Sequence, residues 1–381
     1  MPYAHDPQRV TYFAATDCRN KQTPFGIRTE DRMRHMYLIG KTGMGKSTML
    51  ENMAIQDIQN GEGICFIDPH GSTAEKLLDY VPENRMGDVL YFAPFDLDFP
   101  VGFNVMEDVG YDKRHLVVSG LMSSFQRIWV DAWSSRMEYI LGNTLLALLE
   151  YPDTTLIDVN HMLINKEFRN KVTEYVTDPI VKRFWKEEFA GYTDRYTQEA
   201  TPAIQNKIGQ LLTTPLLRNI IGQVKSAVDI RHAMDTGKIV LVNLSKGKLG
   251  EDTSAFLGSM LVTKFQIDAM SRADIPESER KDFYLYVDEF QNFATESFAT
   301  ILSEARKYKL SLTMANQYVS QLLIGEKSTI LRDAVFGNVG SLITFQVGSD
   351  DAEVFSLQFE ELVMPKDILS LPKYHTYTRL M

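Results

Sequence analysis

An α/β architecture, with a mainly parallel sheet interrupted by an all-α insertion, is expected from three features of this chain. Short apolar runs alternate with helical patterns in both its first and its last third, which implies parallel strands joined by helical crossovers. A glycine loop, Gly40–Ser47, stands between the first such run and a helix start. From Asp112 to about Ile230 there is no clear strand, only apolar positions at helical spacing.

Residues 1–35 are polar, with Thr-Asp-Cys-Arg-Asn at 16–20 and Gly26-Ile-Arg-Thr-Glu-Asp-Arg32, and predict a hairpin or lead-in that abuts the glycine loop. Met36-Tyr-Leu-Ile39 is the first strand, and the helix after the loop runs to about Asn60. Ile64-Cys-Phe-Ile67 is a buried strand by its apolar run, followed by Asp68-Pro-His-Gly71 and a helix from Ser72 with Leu77, Leu78 and Val81 at helical spacing. Val89–Phe92 is another strand. In the insertion, Trp133, Met137, Ile140, Leu141, Leu145 and Leu148 share one helical face. Thr154-Thr155, Asn165 and Asp178-Pro179 are helix-start signals, and Phe184 and Trp185 are core aromatics. Strands resume at Lys238–Asn243 and recur at Phe283–Val287, Leu310–Ala315 and Ser341–Val347, with helices at about 253–272 and through Ile301 to Tyr308. The expected domains are 1–110 with 231–381, discontinuous, and the insertion at 111–230.

Composition bounds the function. The 381 residues are 44% hydrophobic and 24% charged, which is ordinary for a globular chain with a sizeable core. Cys18 and Cys65 lie far apart, with neither metal-ligand nor disulfide-framework spacing, so a reducing, cytoplasmic compartment is expected. No secretory signal is legible, and no apolar run approaches the roughly 18 residues of a membrane span. The net charge of −10 argues against a surface coated by nucleic acid, though not against nucleic acid held in a small basic channel.

Gly40-Lys41-Thr42-Gly43-Met44-Gly45-Lys46-Ser47 fits G-x-x-x-x-G-K-[ST], and Thr48 continues into the helix. Its glycines let backbone N–H groups close around phosphate oxygens, and the helix N-terminus adds positive dipole. Lys46 is placed to reach the β- and γ-phosphates of ATP, and the Ser47 hydroxyl to ligate Mg²⁺. Asp288-Glu289 ends an apolar strand; Asp288 is suited to hold Mg²⁺ and Glu289 to polarise an attacking water. The long stretch between Lys46 and Asp288 is accounted for by the insertion. Gln317 follows the 310–315 strand, where a parallel sheet brings it beside the γ-phosphate; a helix-capping amide is the other reading. By spacing alone, Arg306 fits either a finger acting on a neighbouring subunit's ATP or a surface ion pair. Asp68-Pro-His-Gly71 suits a water network or a turn lining the cleft, and His70 fits no metal spacing.

Together, Gly40–Ser47, Asp68-Pro-His-Gly, Val287-Asp-Glu-Phe-Gln, Glu304-Ala-Arg-Lys-Tyr and Ala315-Asn-Gln-Tyr…Gln321-Leu resemble the HerA/FtsK superfamily of hexameric DNA-pumping ATPases. Within it the chain looks most like the type IV secretion coupling proteins of conjugation, the TraD/TraG group, from about residue 10 to the end. The resemblance implies a RecA-like P-loop NTPase domain and a homo-hexamer with ATP between subunits. It also implies DNA, single- or double-stranded, in a central channel. Arg306 is then the finger, Gln317 the γ-phosphate sensor, and the insertion faces the channel entrance or a relaxase or other secretion-system component. Coupling proteins usually carry N-terminal membrane helices, which this sequence lacks; recruitment to the inner face of the membrane is the corresponding expectation. Lys246, Lys248, Lys264, Arg195, Lys207 and Arg218 are candidate DNA contacts. The alternative function is a secretion ATPase that moves or remodels protein, without stimulation by DNA.

Overall fold

The computed structural model describes residues 6–17, 21–107, 109–295, 298–323 and 328–381; Cys18 lies outside them. Two compact units emerge, one of Met1–Phe92, Ile230–Gly247 and Asp268–Met381, the other of Ala93–Asp229 and Lys248–Ile267. The sequence-based division at 111–230 is narrower than the second unit, which also takes in residues 93–110 and most of an apolar helix, Glu251–Ser271.

The first unit opens with β1 (Val10–Ala15) and β2 (Pro24–Arg28), an antiparallel pair that forms the expected hairpin. Its main sheet comprises β3 (Met36–Ile39), β4 (Gly63–Asp68), β5 (Val89–Phe92), β6 (Ile239–Asn243), β7 (Phe283–Val287), β8 (Leu310–Asn316), β9 (Ser341–Thr344) and β10 (Tyr377–Arg379). Their order is β10-β9-β3-β8-β7-β4-β6-β5, parallel throughout except for antiparallel β10 on the edge. Strands β3, β4, β6, β7 and β8 are buried along their whole length. Burial on both faces explains why their sequences are continuous apolar runs rather than alternating ones. Strand β9 ends at Thr344, short of the expected Val347, because the chain turns toward the glycine loop: Phe345 N–H still donates to Ile39 O (2.8 Å), but Gln346 O accepts from Lys41 N–H (2.8 Å).

One buried polar network crosses this unit. Arg32, 1% exposed, donates to both oxygens of Asp57 (2.7 and 2.9 Å), to Thr11 Oγ1 (2.9 Å) and to the Tyr286 hydroxyl (2.6 Å). The Tyr286 hydroxyl in turn donates to Asp57. Burial works against the Arg32 charge, and Asp57 together with Tyr286 and Tyr284 outweighs it, so the guanidinium stays charged. Asp57 lies on the helix Lys46–Gln59 and Tyr286 on β7, so the network ties the helix behind the glycine loop to the strand that delivers Asp288.

The second unit is helical. Ser134, Asn165 and Asp178 each cap a helix, accepting from Met137 N–H, from Phe168 N–H, and from Ile180 and Val181 N–H. Met137, Ile140, Leu141, Leu145 and Leu148 form the buried face of the helix Ser135–Glu150. Trp133 does not belong to that face: it precedes the Ser134 cap in extended backbone and is only half-buried. Phe184 and Trp185 are core, as expected. A cavity of about 740 Å³ in this unit is lined by Tyr111, Arg114, Glu150, Asp153 and Tyr175 among others.

Candidate nucleotide site and family

Strand β3 delivers the chain into the loop 40–45, and the helix Lys46–Gln59 leaves it. Gly43 (φ 78°) and Gly45 (φ 121°) occupy backbone regions that an L side chain resists, which is why the spacing needs glycine there. Lys46 is 5% exposed, and its ammonium donates to the carbonyls of Gly40 (2.6 Å) and Lys41 (3.3 Å), arching back over the loop. Burial lowers its pKa, and the nearby Glu289 and Asp288 oppose that shift. The lysine is thus held by two neutral oxygens, a modest anchor that phosphate oxygens can replace.

The sheet order places β8 and then β7 beside β3, so residues at their C-terminal ends meet the loop. The Ser47 hydroxyl donates to Asp288 Oδ2 at 2.7 Å. Asp288 is 2% exposed; burial pushes its carboxyl pKa up, the Ser47 bond opposes this, and Glu289 pushes it further up. Two hard oxygen donors in contact at a buried carboxylate suit Mg²⁺, which keeps several waters and takes phosphate oxygens rather than a full protein cage. Among the described residues no cluster of three or more His, Cys, Asp or Glu offers a metal site, in keeping with so sparse a set.

Glu289 adopts left-handed backbone (φ 46°, ψ 50°), and its N–H donates to Asp288 Oδ1 (2.9 Å). Its carboxylate accepts from Gln317 Nε2 (3.1 and 3.2 Å) and Gln291 Nε2 (2.5 Å). Gln317 is held in turn: its N–H donates to Gln321 Oε1 (2.9 Å), which also accepts from Tyr318 N–H (3.2 Å). The buried Asn316 beside it accepts from the Tyr37 hydroxyl (2.6 Å) and donates to Tyr318 O (3.0 Å). Sequence reasoning gave Gln291 and Gln321 no role of their own. Each lies within a motif string already quoted, so the signal was present, but their contacts depend on how β7 and β8 end.

Arg306 lies in the 3₁₀ turn Ala305–Tyr308 and is exposed; Glu304, the nearest acid in sequence, pairs with Lys307 instead. The surface ion pair that spacing allowed does not form among the described residues. Behind the turn, buried His35 accepts from Leu312 N–H at Nδ1 (3.1 Å), so its Nε2 carries the proton and donates to Leu302 O (3.2 Å). Burial lowers the His35 pKa to about 4, the Leu302 bond opposes this, and the Arg306 charge lowers it further.

Asp68 is a turn-builder. Fully buried, it accepts from the N–H groups of His70 (2.8 Å), Thr73 (2.8 Å) and Ala74 (3.0 Å), shaping the start of the helix Ser72–Leu78. The basic candidates are variously engaged. Lys246 donates to Asn292 Oδ1 (2.9 Å), Lys248 lies over the Phe95 ring (4.0 Å), and Arg195 pairs with Glu199 (3.2 Å). Lys264 lines a small cavity with Leu121 and Met260, Lys207 is half-buried and Arg218 exposed.

No curated protein matches the chain. Solved structures share its fold. The plasmid coupling protein TrwB in complex with ADP and Mg²⁺ has 19% identity over 98% of this chain and 87% of that one, with a TM-score of 0.66. The bacterial conjugative coupling protein TrwBΔN70, unbound, has 18% identity over the same shares, also at 0.66. VirB4 of Thermoanaerobacter pseudethanolicus has 13% identity over 99% and 97%, at 0.65. These likenesses establish the RecA-like P-loop fold with a helical domain. Residues 21–359, nearly the whole chain, match the type IV secretion-system coupling protein DNA-binding domain, and the chain belongs to that family.

Proposed function

We propose that this chain is an ATP-hydrolysing motor that moves DNA in conjugation or type IV secretion, as one subunit of a homo-hexameric ring. The observation that carries the reading is the run of contacts from the phosphate loop to a poised carboxylate: Ser47 on Asp288, and Gln317 on the adjoining Glu289. Ser47 and Asp288 are the residues that would hold Mg²⁺, which would supply charge neutralisation of the phosphates.

The remaining steps belong to the chain. Backbone N–H groups of Gly40–Thr48 cradle the phosphates of ATP, and Lys46 exchanges the carbonyls of Gly40 and Lys41 for phosphate oxygens. Gln317 turns its amide from Glu289 to the γ-phosphate. One Glu289 oxygen is then released to accept a proton from the attacking water, while Gln291 keeps the carboxylate in place. Arg306, exposed and unpaired with Glu304, serves the ATP of the adjacent subunit. DNA passes through the ring on contacts drawn from Lys246, Lys248, Lys264, Arg195, Lys207 and Arg218, and its binding weakens with salt. A relaxase or another secretion component presents the DNA at the inner face of the membrane; no helix among the described residues is long and apolar enough to cross one.

Glu289→Gln tests the catalytic centre. Nucleotide affinity by calorimetry stays within about two-fold, while phosphate release slows by about 10²–10⁴-fold, the range for losing a general base. Wild-type turnover, or loss of nucleotide binding, removes Glu289 from this role.

A further inference from the structure

Tyr374 rests on the phosphate loop, and no step above uses it. Its N–H donates to Met44 O at 3.0 Å. A Cβ on Gly45 would lie 2.8 Å from Tyr374 Cδ1 and 3.2 Å from Phe345 Cε1, so the missing side chain of Gly45 is what admits both rings to the loop. Phe345 is buried, whereas Tyr374 is 63% exposed on left-handed backbone (φ 67°). Left-handed backbone at a non-glycine residue is sparsely populated and recurs at ligand clamps, and here it presents an open aromatic ring beside the phosphate loop. The Lys373 ammonium lies 5.0 Å from its ring centroid.

The topology places this ring relative to the phosphate site. Asp288, Glu289 and Gln317 follow β7 and β8, on one flank of β3; on the other flank Phe345 follows β9, and Tyr374 precedes β10, which runs antiparallel to β9 and so starts at the same end of the sheet. A triphosphate whose γ end meets Glu289 and Gln317 carries its nucleoside away from that side. We infer that Tyr374 is the stacking platform for the base of the bound nucleotide, with Lys373 flanking it. The inference rests on the nucleotide reading above. A ring face offers stacking to any base and reads no hydrogen-bonding edge, so it serves adenine and guanine alike.

The test compares Kd for Mg²⁺-ATP and for Mg²⁺-tripolyphosphate, which has phosphates but no base. Tyr374→Ala weakens ATP about 10- to 100-fold, the range for losing one base–aromatic stack. It leaves tripolyphosphate within about two-fold, a change below 0.5 kcal/mol. Tyr374→Phe keeps ATP affinity, and GTP follows ATP in all variants. Equal weakening of ATP and tripolyphosphate by Tyr374→Ala means the residue only shapes the loop and overturns the inference, as does an unchanged ATP affinity. In both cases the wild type still binds both ligands and the nucleotide reading stands. A wild type that binds neither overturns both.

Discussion

In the sheet unit, one buried network joins charged and polar side chains from distant parts of the chain. In the helical unit, the capping side chains are satisfied by backbone two or three residues away. Arg32, Asp57 and Tyr286 come from a short helix, a long helix and a strand, and each bonds to the other two. Ser134, Asn165 and Asp178 each need only the helix they start. The difference matches the work each unit has to do. A phosphate site fails if the loop and the carboxylate strand shift by an ångström, so the elements that carry them are pinned to one another through a network that tolerates no missing member. The helices that Ser134, Asn165 and Asp178 start are defined by local cap signals.

Removing a member of the network is the sharpest way to break the comparison. Asp57→Ala leaves a buried guanidinium without its carboxylate, and urea unfolding should show a loss of about 3–5 kcal/mol. A loss below about 1 kcal/mol, the size of a helix cap, would mean that the buried network contributes no more than local capping does. A smaller effect is expected of His35. Its ring is neutral in the fold, with a pKa of about 4 against 6.5 for the ordinary group. Between those values the unfolded chain binds the extra proton, so stability is full above pH 6.5 and falls as the pH drops towards 4, by about 3 kcal/mol from this group. Urea midpoints measured across that window should fall less steeply in His35→Gln than in the wild type; parallel slopes would contradict the burial argument. The smallest effect is expected in the helical unit, where Asn165→Ala should cost about 1 kcal/mol by losing one cap bond. A cost comparable to that of Asp57→Ala would erase the distinction between the units.

The same contrast explains what could be read from the sequence. Strands β3, β4, β6, β7 and β8 were legible because burial on both faces makes each an unbroken apolar run. The helix starts at Asn165 and Asp178 were legible because a cap is a local signal. Strand β10, three half-buried residues on the sheet edge, carries no such run. Trp133 was misassigned because helical spacing continues past the point where the Ser134 cap begins the helix. In the site, Gly40–Ser47 and Asp288-Glu289 were visible as motifs, since their chemistry is set by residues adjacent in sequence. The clamp of Gln291 and Gln317 on Glu289 and the hold of Gln321 on Gln317 are set by the ends of β7 and β8, and the seating of Tyr374 on Met44 by the approach to β10. No spacing along the chain encodes them.

The most direct test of the motor reading is the rate of ATP hydrolysis with and without single- and double-stranded DNA, over a range of protein concentrations, with Lys46→Ala alongside. The predicted result is a turnover that rises when DNA is added and as subunits associate, and that falls to background in Lys46→Ala. A rate indifferent to both kinds of DNA at every concentration, or undiminished in Lys46→Ala, would contradict it.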